Sequence, residues 1–335
     1  MAQIDSTYTH RDGETRGIGY RRWVIAQATL HACLEVRGMK KIVWTCWIFA
    51  LMQGIFLFTF GQLLDPTSAV FEFITEFLGA FKGIATPFQL LANDNPRIAI
   101  GMTYNLFFYF FSGYILSTLT LTLLALGMAI PRLITSDLSS RAITIYSSKA
   151  VSRLDYCLGK FGGVLLLMTL TWLGPLVATW LMGNLLAPKL SFFWHTAPAL
   201  LHSLMFVVPG MIFLGLLALG VSAVSKSPRM ATVLWLGALL MGTVLSRIGV
   251  ESEHTELQYL SFWFDLELLQ NWVFDLTGDF KELDEKFPII TNLKLVQNLN
   301  ERLGETAKNV PVAVGFLSLL AAGAVTVLIK KVKPE

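Results

Sequence analysis

The sequence predicts an all-α integral membrane protein with six transmembrane helices, an N-terminal interfacial helix and helical external loops. Hydrophobic residues make up 54% of the chain and charged residues only 15%, whereas soluble domains carry roughly 25% charged residues. Crossing the hydrocarbon core takes about 20 largely apolar residues in a helix. Six runs approach or exceed that length without containing Asp, Glu, Lys or Arg. They cover residues 42–64, 102–130, 161–182, 201–224, 230–245 and 312–329.

The basic residues predict an orientation for these helices. Seventeen of the 26 Lys and Arg residues fall in the N-terminus, the 131–160 segment, the 225–229 turn and the C-terminal tail. Cytoplasmic segments of membrane proteins are enriched in Lys and Arg. We therefore expect a multi-pass protein of the cytoplasmic (inner) membrane with both termini in the cytoplasm. Residues 1–41 form the cytoplasmic N-terminus, residues 42–330 the membrane domain, and residues 331–335 the tail.

An amphipathic segment precedes the first span. Residues 20–41 can form a helix with one largely apolar side and with Arg22 turned away from it. The apolar side consists of Trp23, Ala26, Leu30, Cys33 and Leu34. Such a helix can lie in the membrane interface with its basic residues near lipid head groups. The alternative is a soluble helix packed against the cytoplasmic turns.

Two external segments carry further aromatic stretches. Residues 65–100 include several phenylalanines, but charged residues interrupt them, which predicts a stretch that is interfacial or packed on the bundle and not a span. The 247–310 segment is aromatic between residues 262 and 274 and acidic between residues 279 and 286. We expect it to form a small, partly embedded helical cap with an acidic outer face.

The 131–160 segment carries the most informative motif. It follows a predicted span of 29 residues, which is ~43 Å long as a helix and must tilt or protrude from the lipid. The segment has an acid followed by a polar stretch, an apolar run, a Ser-Lys-Ala-Val-Ser-Arg patch, and an aromatic residue before Gly-Lys. These are Asp137, Ser139 to Arg141, Ile143 to Tyr146, Ser148 to Arg153, Tyr156, and Gly159 with Lys160.

This order of residues resembles the first cytoplasmic loop of the ABC-2 family of ABC transporter permeases. Ala150 stands where that family commonly has proline, and Asp137 where it more often has glutamate. The resemblance covers about 30 residues. The six spans, the cytoplasmic termini, the interfacial helix and the large last external segment are also similar to the layout of that family.

The resemblance implies a mechanical role for the segment. In that family the loop forms a coupling helix that docks into a groove on a separate ATPase, and two ATPase subunits rock two permeases between inward and outward states. ATP and Mg are then expected in the ATPase, and the second permease is either another copy or a related chain. The residues expected at the ATPase are Asp137, Leu138, Arg141, Ile143, Tyr146 and Arg153. The alternative is an ordinary basic cytoplasmic loop.

No catalytic motif accompanies these spans. The sequence has no G-x-x-x-x-G-K-[ST] phosphate loop, no H-E-x-x-H pair and no G-x-S-x-G elbow, which are motifs of nucleotide, zinc and hydrolase chemistry. We therefore expect no enzyme activity, no metal and no cofactor in this chain. Nucleic-acid binding is also not expected, because topology already explains the basic residues.

Polar residues that could line a transport pathway are few. The candidates are Asn105, Thr118, Thr122 and Thr232, although Ser and Thr in membrane helices more often bond to backbone carbonyls. Spans without charged residues disfavour an ion-coupled transporter. The leading hypothesis is an ATP-driven export permease in contact with membrane lipid. The alternative is a non-transporting membrane anchor or mechanotransmission subunit that engages an external partner.

Overall fold

The computed structural model describes residues 17–62, 72–73, 76, 96–140, 152–185, 187, 190–251, 255–274 and 306–332. In these ranges all regular secondary structure is helical. Six of the helices are long and apolar enough to cross a membrane. They cover Met39–Thr59, Phe110–Ser139, Arg153–Leu185, Phe192–Val224, Pro228–Gly249 and Asn309–Lys331. The predicted all-α, multi-pass membrane fold is therefore confirmed.

The helices are numbered in chain order. They are α1 (Ile18–Leu34), α2 (Met39–Gln62), α3 (Pro96–Ala129), α4 (Thr135–Ser139), α5 (Arg153–Met168), α6 (Gly174–Leu185), α7 (Ser191–Val224), α8 (Pro228–Glu251), α9 (Phe262–Phe274) and α10 (Thr306–Lys331). A 3₁₀ turn at Ile130–Arg132 follows α3, and another at Thr255–Leu260 precedes α9. A π-helical turn at Thr169–Leu173 joins α5 to α6 within one span.

Each predicted span overlaps one of the six membrane-spanning helices, but the third and the fourth begin earlier than predicted, at Arg153 and Phe192 instead of residues 161 and 201. Helix α5 starts at Arg153, whereas the apolar run starts at residue 161. The Ser152 hydroxyl accepts a hydrogen bond from the Asp155 backbone N–H and so caps the helix. A serine at this position supplies a partner to an N–H group that the helix leaves unpaired. The hydrophobic run therefore marks only the apolar part of a longer helix.

Helix α1 packs along α5 through most of the predicted apolar side, and Leu30 and Leu34 pack against the core. Ala26, Thr29 and Cys33 are buried, whereas Trp23 is 47% exposed. Arg22, which was expected to face away, donates to Asp155 of α5. Of the predicted apolar residues only Trp23 is exposed, and Thr29 is buried beside the others because Gly163 of α5 lets the two helices approach closely.

The chain turns from α1 into α2 at Gly38. This glycine has a φ of 96°, a backbone conformation that only glycine adopts at little cost. The Glu35 N–H donates to His31 O and the Val36 N–H donates to Cys33 O, which closes α1 just before the turn. The end of the bundle that holds α1 also holds the 3₁₀ turn after α3, the start of α5 and the α7–α8 turn; we call it the α1 end.

The chain folds back into the bundle after α8. Helix α8 ends at Glu251. The ring of Phe262 nevertheless lies 6.2 Å from the ring of Trp235, which is 16 residues before the end of α8. Sixteen residues of helix span about 24 Å, so the 3₁₀ turn and the start of α9 lie deep beside α8. A Cβ on Gly242 would lie 3.3 Å from the Ser261 Cα. The sequence predicted a partly embedded external cap; residues 255–274 pack against α7, α8 and α10 with Leu260 and Trp272 exposed, and residues 275–305 are outside the described ranges.

Candidate functional site

The backbone leaving α3 is fixed to α7 by one buried serine. The Ser222 hydroxyl accepts hydrogen bonds from the Ile134 N–H at 2.9 Å and the Thr135 N–H at 3.0 Å. It also donates to Ile130 O at 2.8 Å, and the Thr135 hydroxyl donates to Ser222 O at 2.7 Å. All four residues are buried. A single side chain therefore pairs the backbone groups that the break between α3 and α4 leaves unpaired.

A buried ion pair fixes the same stretch to α5. The Lys160 ammonium lies 2.7 Å from Asp137 Oδ2, and the Tyr156 hydroxyl donates to that oxygen at 2.6 Å. The side chains of Lys160 and Asp137 are only 9% and 16% exposed. Tyr156 and Lys160 lie four residues apart on α5, so both reach one partner from the same helix face. The carboxylate thus has a counter-ion and a neutral donor in a site largely screened from water.

A second contact at this end joins α1 to the start of α5. Arg22 Nη2 lies 2.6 Å from Asp155 Oδ1, with Arg22 45% exposed. Further along the helix pair, a Cβ on Gly159 would lie 2.6 Å from Ile25 Cβ, and one on Gly163 would lie 2.5 Å from Thr29 Cβ. The two glycines, four residues apart on α5, therefore let α1 lie close against α5.

We call Ile130 to Ser140, held by Ser222 and Lys160, the anchored stretch. It contains two of the residues predicted to contact an ATPase. Asp137 Oδ2 binds Lys160 and Tyr156, its Oδ1 accepts from the Ser136 hydroxyl at 3.4 Å, and Leu138 packs against the core. Arg153 is exposed at the start of α5. Arg141, Ile143 and Tyr146 lie outside the described residues. Their contact with an ATPase stays a prediction, as it does for the other three.

The candidate pathway threonines have partners within their own helix. Thr118 donates to Tyr114 O, and Thr122 donates to Thr118 O at 2.9 Å. Thr122 also lies 3.3 Å from the Thr171 hydroxyl in the π-helical turn. Thr232 bonds only weakly to Pro228 O, at 3.4 Å, and the side chain of Asn105 is outside the described set. These geometries favour roles in helix packing, and a role in a pathway remains a prediction.

Sequence reasoning missed the parts played by Ser222 and Lys160. Lys160 was counted as one more basic residue at a membrane edge, although a lysine directly before an apolar run, one turn after Tyr156, is a usable signal for a buried pair. Ser222 sits in a Gly-Val-Ser-Ala-Val run that has no feature to distinguish it from the other serines of the spans. Only the three-dimensional position of the α3–α4 break gives it a function.

The chain was compared with protein-family models, with curated proteins and with solved structures, and no match was found. The resemblance to ABC-2 permeases therefore rests on the residues of the 131–160 segment and on the helical layout.

Replacing Ser222 with alanine is expected to lower the free energy of unfolding by about 2–3 kcal/mol, because it leaves buried N–H groups of Ile134 and Thr135 without an acceptor. The measurement is denaturant or thermal unfolding of the purified chain in detergent. Ser203→Ala is the matched control on the same helix: its hydroxyl bonds only to Ala199 O, and its loss should cost under ~1 kcal/mol. Equal effects of the two substitutions would contradict the role assigned to Ser222.

Proposed function

We propose that this chain is the membrane permease subunit of an ATP-driven ABC transporter, working as an exporter and coupled to a separate ATPase through the 131–160 segment. The observation that carries the proposal is the anchored stretch at the root of that segment. Ser222 ties it to α7, and the Asp137–Lys160 pair ties it to α5. A force applied to the segment would therefore act on two spans at once.

The rigidity of these ties supports mechanical coupling. A displacement is transmitted through packed elements that keep their contacts, whereas a loosely attached loop would absorb it. The Lys160–Asp137 pair is largely buried, so neither salt nor water weakens it as they would an exposed pair. Helix α5 in turn packs on α1 through Gly159 and Gly163. Motion of the segment would thus reach α1, α5 and α7 together.

Exposed side chains that could contact an ATPase lie in this stretch and at the start of α5. Arg132, Ser139, Ser140 and Arg153 are exposed, and Leu154 is 70% exposed. Exposed arginines can make charge-assisted contacts to carboxylates on a partner, and an apolar side chain between them can enter a groove. We place this surface, both chain termini and α1 on the cytoplasmic side of the inner membrane, as the distribution of Lys and Arg predicts.

The proposed assembly contains two ATPase subunits and a second permease, either another copy or a related chain. Helices α2 and α8 carry many large apolar side chains exposed on the single chain. Such faces require lipid or another membrane helix beside them. Within the described residues, no group of three or more His, Cys, Asp or Glu side chains could hold a metal ion. We assign ATP and Mg to the partner ATPase because the sequence has no G-x-x-x-x-G-K-[ST] phosphate loop.

The docking proposal predicts that charge reversal at the exposed Arg153, made as Arg153→Glu together with Arg141→Glu, lowers recovery of a co-expressed ABC ATPase by at least about tenfold, equivalent to ~1.4 kcal/mol. Co-purification with quantified subunit ratios measures this. Arg229→Glu at the exposed α7–α8 turn is the control and should retain the ATPase. Full ATPase recovery and ATP-driven activity with the double variant would contradict the assignment of the 131–160 segment as the ATPase docking site.

A non-transporting anchor or mechanotransmission subunit is the second candidate. The large segment between α8 and α10 favours it, because part of that segment is built into the bundle and could report an external event to the spans. The two candidates differ in their stoichiometric partner. Cross-linking in native membranes should recover an ATPase at the α1 end for a permease, and a protein at the opposite end for an anchor.

A further inference from the structure

Asp265 is a fully buried carboxyl group without a partner among the described residues. The residue is 0% exposed, and neither side-chain oxygen has a hydrogen-bond partner. Its position is the fourth residue of α9, next to apolar and aromatic neighbours: Phe262, one turn earlier, packs against Phe213 and Trp235. An ionised carboxylate without a counter-ion is strongly disfavoured in such surroundings. The neutral acid is the form that fits this site.

The start of α9 does not provide an alternative explanation for the carboxyl. An acid in the first turn of a helix often accepts hydrogen bonds from free N–H groups there. In α9 the Ser261 hydroxyl accepts from the Phe264 N–H at 3.4 Å, and the Asp265 N–H donates to Ser261 O. The Asp265 carboxyl takes no part in this cap. It therefore lacks the hydrogen bonds that would stabilise its charged form.

No charged group on the surrounding elements compensates Asp265. Helix α9 packs against α10, α7, α8, α3 and the Thr255–Leu260 turn. Among the described side chains, the charged or titratable groups of these elements and of α9 itself are Tyr114 on α3, His195 and His202 on α7, Arg229 and Arg247 on α8, Tyr259 in the turn, Glu267 on α9, and Lys330 and Lys331 on α10. None of them forms an ion pair or hydrogen bond with Asp265.

The far end of α9 is held by its own contacts. Gln270 Nε2 donates to Ser112 O of α3 at 2.6 Å. Phe274 packs edge-on against Phe108 at 5.7 Å and against His202 at 6.0 Å. Two features thus hold α9 in the bundle at this end. At the other end Phe262 packs against aromatic side chains, and the Asp265 carboxyl makes no hydrogen bond to the described residues.

We propose that the Asp265 carboxyl is a proton-binding site, which keeps α9 seated in the bundle in its neutral form and favours its release when it ionises. Ionisation gives one proton to water and leaves one negative charge on the carboxylate, which gains hydration only if α9 moves. The site makes the position of α9 sensitive to pH. It does not depend on an ATPase and so does not rest on the proposed transport function.

The direction of the pH effect follows from linkage. Burial raises the pKa of Asp265 from 3.8 to about 7, and Asp265 lies outside the six spanning helices. Between these two values the seated state binds more protons than the released state, so raising the pH favours release. The ratio of released to seated α9 should rise about tenfold per pH unit between these two pKa values and stay constant at higher pH.

Hydrogen exchange of the full chain in lipid nanodiscs tests this proposal between pH 5 and pH 8. After correction for intrinsic exchange rates, protection of the α9 amides should fall about tenfold per pH unit up to pH 7, while the α8 amides of residues 230–245 stay constant. Asp265→Asn should remove the pH dependence. Glu267→Gln on the same helix should retain it. A wild-type α9 without pH dependence, or an Asp265→Asn variant that keeps it, would overturn the proposal.

Infrared spectroscopy gives a readout that does not require a folded variant. With aspartate carrying a ¹³C carboxyl label, the wild-type difference spectrum between pH 5 and pH 8 should show one protonated aspartic carboxyl that loses its proton near pH 7. A structural role alone would not produce this band. If the wild-type chain showed no protonated aspartate signal at pH 5, Asp265 would be ionised in the bundle, which is incompatible with a proton site.

Discussion

Replacing Lys160 with methionine is expected to lower the free energy of unfolding by about 3–5 kcal/mol, because the substitution leaves a largely buried carboxylate without its counter-ion. Methionine keeps most of the side-chain length, so lost packing contributes little. Asp137 would retain only the Tyr156 hydroxyl as a strong donor. Equilibrium unfolding of the purified chain in detergent measures the difference.

Two further variants make this prediction specific. Adding Asp137→Asn to Lys160→Met removes the stranded charge, and the double variant should regain at least ~1 kcal/mol relative to Lys160→Met alone. Arg22→Met breaks the exposed pair with Asp155 and should cost no more than about 1 kcal/mol. A Lys160→Met variant as stable as Arg22→Met would show that the Asp137 pair is not a structural anchor.

A further decrease in the free energy of unfolding is expected from a substitution at Gly163. An alanine Cβ there would lie 2.5 Å from Thr29 Cβ and 2.9 Å from Ala26 O, so helix α1 would have to move as a unit. Overpacking of this kind costs about 1–3 kcal/mol. Gly163→Ala should therefore destabilise the chain, and hydrogen exchange should show reduced protection of α1.

Gly237→Ala supplies the matched control. A Cβ at Gly237 would meet no atom within 4 Å, and alanine is favoured over glycine inside a helix by roughly 0.5–1 kcal/mol. The two Gly→Ala substitutions should thus have effects of opposite sign. A Gly163→Ala variant at least as stable as the wild type would mean that α1 is not held closely against α5.

The membrane fold was readable from the sequence because its determinants are local. A helix in lipid satisfies its own backbone, so a run of apolar residues of sufficient length is nearly enough to define a span. The Ser152 cap shows where this reasoning loses precision, since the polar start of α5 carries no hydrophobic signal. The contact of α1 with α5 at Thr29 was not visible either, because it depends on Gly163, more than 130 positions away.

Asp137 illustrates what sequence could and could not say about the candidate site. Its place in a motif with Tyr156 and Lys160 was visible, and the structure joins all three. The prediction that Asp137 contacts an ATPase was based on its charge, because the sequence does not show that Lys160 and Tyr156 bind this carboxylate. Whether a charge is free for another protein depends on which side chains face it, and that is a property of the folded chain.

By itself, the sequence determined that this is a multi-pass helical membrane protein and which runs form its spans, since length and hydrophobicity act within each segment. Only the tertiary structure decided that Ser222 and Lys160 anchor the α3–α4 break and that α9 carries Asp265 into the bundle. Those outcomes depend on contacts between residues far apart in the chain. A buried polar group is stable or strained according to its neighbours, and packing, not local pattern, chooses them.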